Sequence, residues 1–143
     1  MKKLLILLTV AIAACTSHIN TEQKGNENTN EQENTTTAIP LNNGSKWKAD
    51  EATKKNAAAI VQVVNDVNYA DAGKREQLYA SVQTKIDTMV MQCRMQGAEH
   101  EALHLWLEKV LRDMKELKEE GTEYSEVHAA LKKDIASFYA FFE

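Results

Sequence analysis

The sequence predicts an all-α fold, an antiparallel four-helix bundle, and three observations support this class. Apolar residues recur every three or four positions after residue 44, which is the spacing of one buried face of a helix. Glycines fall where that spacing is interrupted, and no proline follows Pro40. The strict alternation of a half-buried strand is not found in this part of the sequence.

Four helical segments of similar length are predicted between short corners. The first interruption covers residues 68–73, the second is marked by Gly97 and the third by Gly121. Each segment is about 18 to 24 residues long, and matched lengths joined by short corners favour an up-down-up-down bundle. The alternative is a three-helix bundle with a loosely attached first helix, because the alanine and valines of that segment bury less surface.

Residue type indicates where the segments start and which side of each faces the core. Asp50, Asp71 and Thr122 precede helical segments and can act there as N-caps. The predicted core faces are, in chain order, Ala57, Ile60, Val64 and Val67; Leu78, Val82, Ile86, Met89 and Cys93; His100, Leu103, Leu107, Val110, Met114 and Leu117; and Tyr124, Val127, Leu131, Ile135, Phe138 and Phe142.

Length and charge limit the classes of protein. A chain of 143 residues suffices for one small domain, and a hydrophobic content of 43% allows a modest core. The net charge is −4, and it becomes −6 if Lys2 and Lys3 leave with a cleaved leader. Nucleic-acid binding needs a basic surface to face the phosphates, so we expect no nucleic-acid partner.

Residues 1–15 have the order of an export signal. Lys2 and Lys3 are followed by an apolar run over residues 4–12, which is too short to span a bilayer but suits the centre of a signal peptide. The run leads into Ile-Ala-Ala-Cys at residues 12–15, with small residues directly before the cysteine. This stretch resembles the lipobox of bacterial lipoproteins.

The resemblance implies a lipid anchor at Cys15. It implies cleavage before that residue, a diacylglyceryl thioether on its sulfur and an acylated amino terminus, so that acyl chains hold the protein at a membrane. Thr16 stands where lipoproteins retained at the inner membrane typically have aspartate, so the resemblance favours the outer membrane of the bacterial envelope. The alternative is an ordinary secretory leader followed by an incidental cysteine.

Polar residues fill the chain between the leader and the helices. Residues 16–40 consist mostly of Thr, Asn, Glu, Gln and Ser, and such a composition cannot bury enough surface to order itself. The predicted organisation is a signal peptide at residues 1–14, a lipidated cysteine and disordered tether at residues 15–44, and a helical domain at residues 45–143.

The corner around Gly97 concentrates the chemically reactive side chains. Cys93 lies at the end of the second segment, and His100 and His104 lie one turn apart on the same side of the third. Antiparallel folding would bring these three together, with Met95 in the connecting turn. A thiolate, two imidazoles and a thioether suit copper, and without the thioether they suit zinc.

Other interpretations of this corner stay open. Methionine at helical spacing commonly fills a core, and a buried cysteine can act as a small hydrophobic residue, so simple packing is the main alternative to a metal site. Haem held by His100 or His104 is a further option, without the CxxCH motif of covalent attachment. His128 is expected at the opposite end of the bundle, whereas Trp47 and Trp106 are expected to pack around the corner.

The sequence lacks catalytic motifs, so we expect that the protein is not an enzyme. GxSxG, HExxH and glycine-rich phosphate loops are absent from it. The pattern CxMxGxxHxxLHxWL, which begins at Cys93, resembles one in small helical envelope lipoproteins of unknown function and implies no activity.

Two functions are therefore expected as alternatives. The first is a lipid-anchored envelope protein whose helical domain binds a copper or zinc ion at the corner. The second is a structural or interaction lipoprotein without a ligand, which contacts another envelope protein. Val61 and Val63, beside the first core face, are the hint of an apolar docking strip for the second.

Overall fold

A computed structural model of the protein describes residues 38–143. The predicted leader, the lipidation site Cys15 and the tether up to residue 37 lie outside the described residues. The helices are α1 (Glu51–Asn65), α2 (Arg75–Gln92), α3 (Gly97–Glu116), α4 (Tyr124–Ala136) and the short α5 (Phe138–Phe141). Two 3-10 turns, Val67–Tyr69 and Ala72–Lys74, connect α1 to α2.

The described residues form the predicted four-helix bundle, in which α4 and α5 together correspond to the fourth predicted segment. α1 packs closely against α2 and α4, and α4 also packs against α3. α2 and α3 approach each other less closely than these pairs do. α1 and α4 have 15 and 13 residues, so both are shorter than predicted.

The predicted core faces account for most of the buried apolar side chains. Every residue of the fourth face is buried, and so is every residue of the third except His100. In the second face Cys93 is half-buried and the others are buried. Ala57, Ile60 and Val64 of α1 are at most 1% exposed, so the first helix is an integral part of the bundle rather than a loose attachment.

Val67 is the exception in the first face, because it is 84% exposed. α1 ends at Asn65, and Asp66 adopts an extended conformation before the first 3-10 turn. The Asp66 carboxylate accepts a hydrogen bond from the Asn68 N–H at 2.9 Å, which fixes that turn. The change of backbone period turns Val67 away from the core. Asp71 caps the second 3-10 turn, and α2 begins after it.

The corner between α3 and α4 is closed by an arginine of α2. The Arg75 guanidinium donates hydrogen bonds to the carbonyls of Glu119 and Thr122, at 3.1 and 2.9 Å. The Thr122 hydroxyl donates to the Glu119 carbonyl at 2.9 Å. The prediction that Thr122 caps the next helix is therefore wrong, because its hydroxyl bonds a carbonyl that follows the end of α3. Glu123 occupies the N-cap position without a side-chain bond.

Ser137 divides the fourth predicted segment into α4 and α5. Its hydroxyl donates to the Asp134 carbonyl at 2.6 Å, and such local bonds from serine compete with regular helix hydrogen bonds. The core face continues across the break, because Phe138 and Phe142 are both buried and stack with ring centroids 4.7 Å apart.

The folded part includes residues that precede the predicted domain boundary at residue 45. Ile39, which the composition assigns to the tether, is 5% exposed and packs in the core. The Trp47 indole N–H donates to the Pro40 carbonyl at 2.6 Å. The Trp47 backbone also exchanges hydrogen bonds with the Phe141 carbonyl and the Glu143 N–H, at 2.8 and 2.9 Å. These contacts attach residues 39–47 to the end of the chain.

Candidate functional site

The corner between α2 and α3 is a tight reversal built on one glycine. α2 ends at Gln92, and the N–H of the C-cap residue Cys93 still donates to the Met89 carbonyl at 2.8 Å. Gly97, the first residue of α3, has a φ of +64°. Only glycine adopts this left-handed conformation without a steric penalty, so the sequence predicts the place of the corner correctly.

Two polar contacts fasten this corner to α1. Asp50 accepts hydrogen bonds from the N–H of Thr53 and from the N–H of Arg94, each at 2.6 Å. It therefore caps α1, as predicted, and holds the corner as well. The Asn56 side-chain amide donates to the Gln92 side chain at 2.9 Å. The last turn of α2 and the connection after it are thus held by α1 and its N-cap.

The electrostatics of Asp50 reflect these contacts. Burial by itself raises the pKa of the Asp50 carboxyl, but the hydrogen bonds from the Thr53 and Arg94 N–H groups outweigh it and hold this pKa below its ordinary value. Asp50 is therefore a stable acceptor for the corner at neutral pH.

The Arg94 side chain closes the end of α2. Its guanidinium donates to the carbonyls of Met91 and Cys93, at 3.1 and 2.9 Å. Carbonyls at the end of a helix lack partners within the helix, and an arginine is well suited to satisfy them. The backbone that carries Cys93 is therefore fixed on both sides of this residue.

The structure brings Cys93, His100 and His104 together at this corner. The Cys93 Sγ lies 3.6 Å from the His100 Nδ1, which is hydrogen-bond distance for sulfur. The imidazoles of His100 and His104 have ring centroids 4.3 Å apart and are tilted by 57°. Cys93 and His100 are half-buried and His104 is exposed. The convergence predicted from antiparallel folding is present in the structure.

The three side chains line one cavity of about 220 Å³ between α2 and α3. The lining comprises, in chain order, Met89, Val90, Cys93, His100, Leu103, His104 and Leu107. Its donor atoms are sulfur and nitrogen, and the rest of its wall is aliphatic. The cavity lies between two helices that approach each other less closely than the other neighbouring pairs.

The methionine that lines the cavity is Met89, whereas the sequence singled out Met95. Met95 is 8% exposed and packs into the core. It lies in the extended connection after Cys93, where helical spacing no longer determines the direction of a side chain. Met89 is four residues before Cys93, the C-cap residue of the same helix, whose N–H still bonds the Met89 carbonyl, so the two share one face. The second predicted core face contains both Met89 and Cys93, so the sequence already indicated that Met89 lies on the same side of α2 as Cys93.

The geometry also limits what the corner can bind without adjustment. Within residues 38–143, no three His, Cys, Asp or Glu side chains are already arranged to hold one metal ion. Cys93 and His100 form a close pair, and His104 has to turn toward Cys93 to become a third ligand. Because His104 is exposed, such a rotation does not disturb the core.

The other aromatic residues named from the sequence lie elsewhere. The His128 Nε2 lies 3.0 Å from the Val64 carbonyl, and its ring stacks on Tyr124 at 5.3 Å, near the start of α4. Trp106 is fully buried and donates its indole N–H to the Asp134 carbonyl at 3.0 Å. Trp47 is half-buried beside the chain end. These three residues have structural contacts rather than places in the cavity wall.

Asp113 is a buried charged residue that the sequence analysis did not single out. It is 3% exposed, its Oδ1 lies 3.3 Å from the Arg112 guanidinium, and its Oδ2 is buried without a partner among the described residues. Arg112 also pairs with Asp134 at 3.2 Å. Burial raises the pKa of Asp113 to about 6; the Asp134 charge adds to this rise and Arg112 opposes it. The helical position of Asp113, one residue before Met114 on the core face, was the available signal.

No family model, no curated protein and no solved structure matches the chain. Among residues 38–143, none of the helices combines the length and the apolar character needed to cross a bilayer.

Proposed function

We propose that this protein is a lipid-anchored protein of the bacterial envelope whose helical domain binds one copper or zinc ion. Cys93 and His100 are the primary ligands and His104 is the third. The observation that carries the proposal is the 3.6 Å distance between the Cys93 Sγ and the His100 Nδ1 at the wall of a cavity that His104 shares. The proposal assigns no catalytic activity to the protein.

The donor set supports a soft or borderline metal ion. Thiolate and imidazole are the ligands that zinc and copper prefer, and hard ions such as magnesium and calcium prefer oxygen. Two imidazoles at positions i and i+4 of one helix can reach the same ion. Binding requires that the Cys93 thiol releases its proton to solvent, so affinity should rise with pH.

The held corner supports binding by a site whose backbone changes little on loading, while the exposed His104 side chain turns to the ion. Asp50 and Asn56 attach the end of α2 to α1. The Arg94 guanidinium donates hydrogen bonds to carbonyls at the end of α2. A ligand on a fixed backbone loses less conformational freedom when it binds an ion. The membrane part of the proposal depends on residues 1–15 and on their resemblance to a lipobox.

The interaction alternative depended on an apolar strip at Val61 and Val63. Both side chains are half-buried and pack against the core, so they contribute to the fold of the domain. This placement favours the metal-binding alternative over a docking strip on α1.

The test is elemental analysis of the full-length protein purified in detergent after exposure to copper or zinc and desalting. We expect about one ion per chain for the wild type and for the control His128→Ala, and strongly reduced metal for Cys93→Ser. A parallel Cys15→Ser preparation checks that the amino-terminal cysteine is not the source. Equal, substoichiometric metal in the wild type and in Cys93→Ser would overturn the proposal.

A further inference from the structure

We infer that the ion held at this corner is Cu(I), and that the Sδ of Met89 is its second sulfur ligand. The inference rests on the proposed function and makes it specific. It replaces the thioether expected from the sequence, Met95, by one that lines the cavity.

The helix register places Met89 at the site. α2 and α3 run antiparallel, as the far end of the pair shows, where the Lys118 ammonium lies 4.8 Å from the centre of the Tyr79 ring. Cys93 and His100 form the contact nearest the corner. Met89 is four residues before Cys93 and His104 is four residues after His100, so one turn further from the corner these two oppose each other.

The two pairs lie one helical turn apart along the same cavity. Four residues advance a helix by about 6 Å, and flexible methionine and histidine side chains reach across part of that distance. The His100 ring, which contacts Cys93, and the His104 ring, which is one turn further along α3, have centroids only 4.3 Å apart. All four donor-bearing side chains line the same cavity. Met89 is fully buried, so its thioether faces protein rather than water.

The chemistry of the lining selects Cu(I) among the soft and borderline ions. Thioether and thiolate sulfur are ligands of Cu(I), whereas structural zinc takes four ligands drawn from thiolate, imidazole and carboxylate. The cavity offers sulfur and nitrogen donors within aliphatic walls formed by Val90, Leu103 and Leu107. Leu103 and Leu107 are buried and give one side of the cavity an aliphatic wall without oxygen donors, which suits a soft ion better than a hard one.

Metal affinities of full-length variants in detergent test the inference. Cu(I) affinity is measured under anaerobic conditions by competition with a chromogenic Cu(I) chelator, and zinc affinity by competition with a zinc indicator. Met89→Leu is the variant, and Met95→Leu, also buried, is the matched control. Leucine has nearly the volume of methionine, so both variants should fold, which circular dichroism and thermal unfolding verify.

We expect Met89→Leu to weaken Cu(I) binding by about tenfold or more and to leave zinc binding unchanged, because only the copper ion uses the thioether. Met95→Leu should bind both ions as the wild type does. Equal Cu(I) affinity in Met89→Leu and in the wild type would overturn the thioether assignment while the Cys93 site stands. Binding of neither ion by the wild type would instead overturn the proposed function itself.

A spectroscopic measurement keeps the inference open to test if Met89→Leu does not fold. X-ray absorption of the copper-loaded wild type should show two sulfur neighbours and at least one nitrogen neighbour around the ion. A single sulfur neighbour would contradict the ligand role of Met89, and oxygen and nitrogen neighbours alone would contradict the whole site.

Discussion

The carboxylate of Asp50 joins the first turn of α1 to the corner that carries the candidate site. It accepts a 2.6 Å hydrogen bond from the N–H of Arg94, while its other oxygen caps α1 at Thr53. Arg94 directly follows Cys93, so this contact fixes the backbone from which the thiol projects. One side chain thus contributes both to helix formation and to the geometry of the site.

Replacement of Asp50 should therefore lower the stability of the fold more than the loss of an ordinary N-cap does. We expect Asp50→Ala to lower the free energy of unfolding by about 1 to 3 kcal/mol, because an N-cap and a hydrogen bond to a charged group are lost together. Denaturant unfolding measures the change. Asp66→Ala is the control, since Asp66 caps only the 3-10 turn after α1 and should cost less. Equal effects of both variants would contradict the role of Asp50 at the corner.

Asp113 should give the stability of the protein an unusual dependence on pH. Its pKa is about 6 in the folded state and near the ordinary value of 3.8 in the unfolded chain. The folded state therefore binds more protons between these values, so the contribution of Asp113 to stability is full below pH 4 and is lost as pH rises through 6. The lowered pKa of Asp50 acts in the opposite direction, because its contribution is lost as pH falls below about 4.

The comparison of the wild type with Asp113→Asn isolates this effect. We expect the unfolding free energy of the wild type, relative to the variant, to fall by about 1 to 3 kcal/mol from pH 4 to pH 7. Asparagine keeps an oxygen acceptor for Arg112 and removes the buried charge. Asp87→Asn, at an exposed position of α2, reports the effect of removing one negative charge at the surface. A difference that stays constant with pH would show that the Asp113 carboxyl does not titrate in this range.

The fold was largely predictable because it depends on one repeated physical requirement. Each helix has to bury one face, so the spacing of Leu131, Ile135 and Phe138 was sufficient to find a helical core face. Val67 departs from its predicted place because Asp66 changes the backbone period beyond α1. Thr122 does not cap α4 because its hydroxyl donates to the Glu119 carbonyl and accepts from the Arg75 guanidinium. The sequence does not show that Arg75, 47 residues earlier in the chain, contacts this corner.

The candidate site was predictable only in part. Cys93, His100 and His104 meet because helix spacing and one glycine determine their places. Met95 lies in a connection without regular spacing, so periodicity could not show that its side chain turns into the core. Met89 was identified as a core residue, and only the approach of α3 shows that it also faces the cavity.

The most direct test of the account is a double-mutant cycle in metal affinity on the full-length protein, with Cys93→Ser, His100→Ala and the combination of both. Each single change should weaken Cu(I) binding by about tenfold or more, and the second change should add several-fold less than it does alone, because both ligands act on one ion. His128→Ala should bind like the wild type. Unchanged affinity in either single variant, or losses that simply multiply in the combination, would contradict a shared ion at this corner.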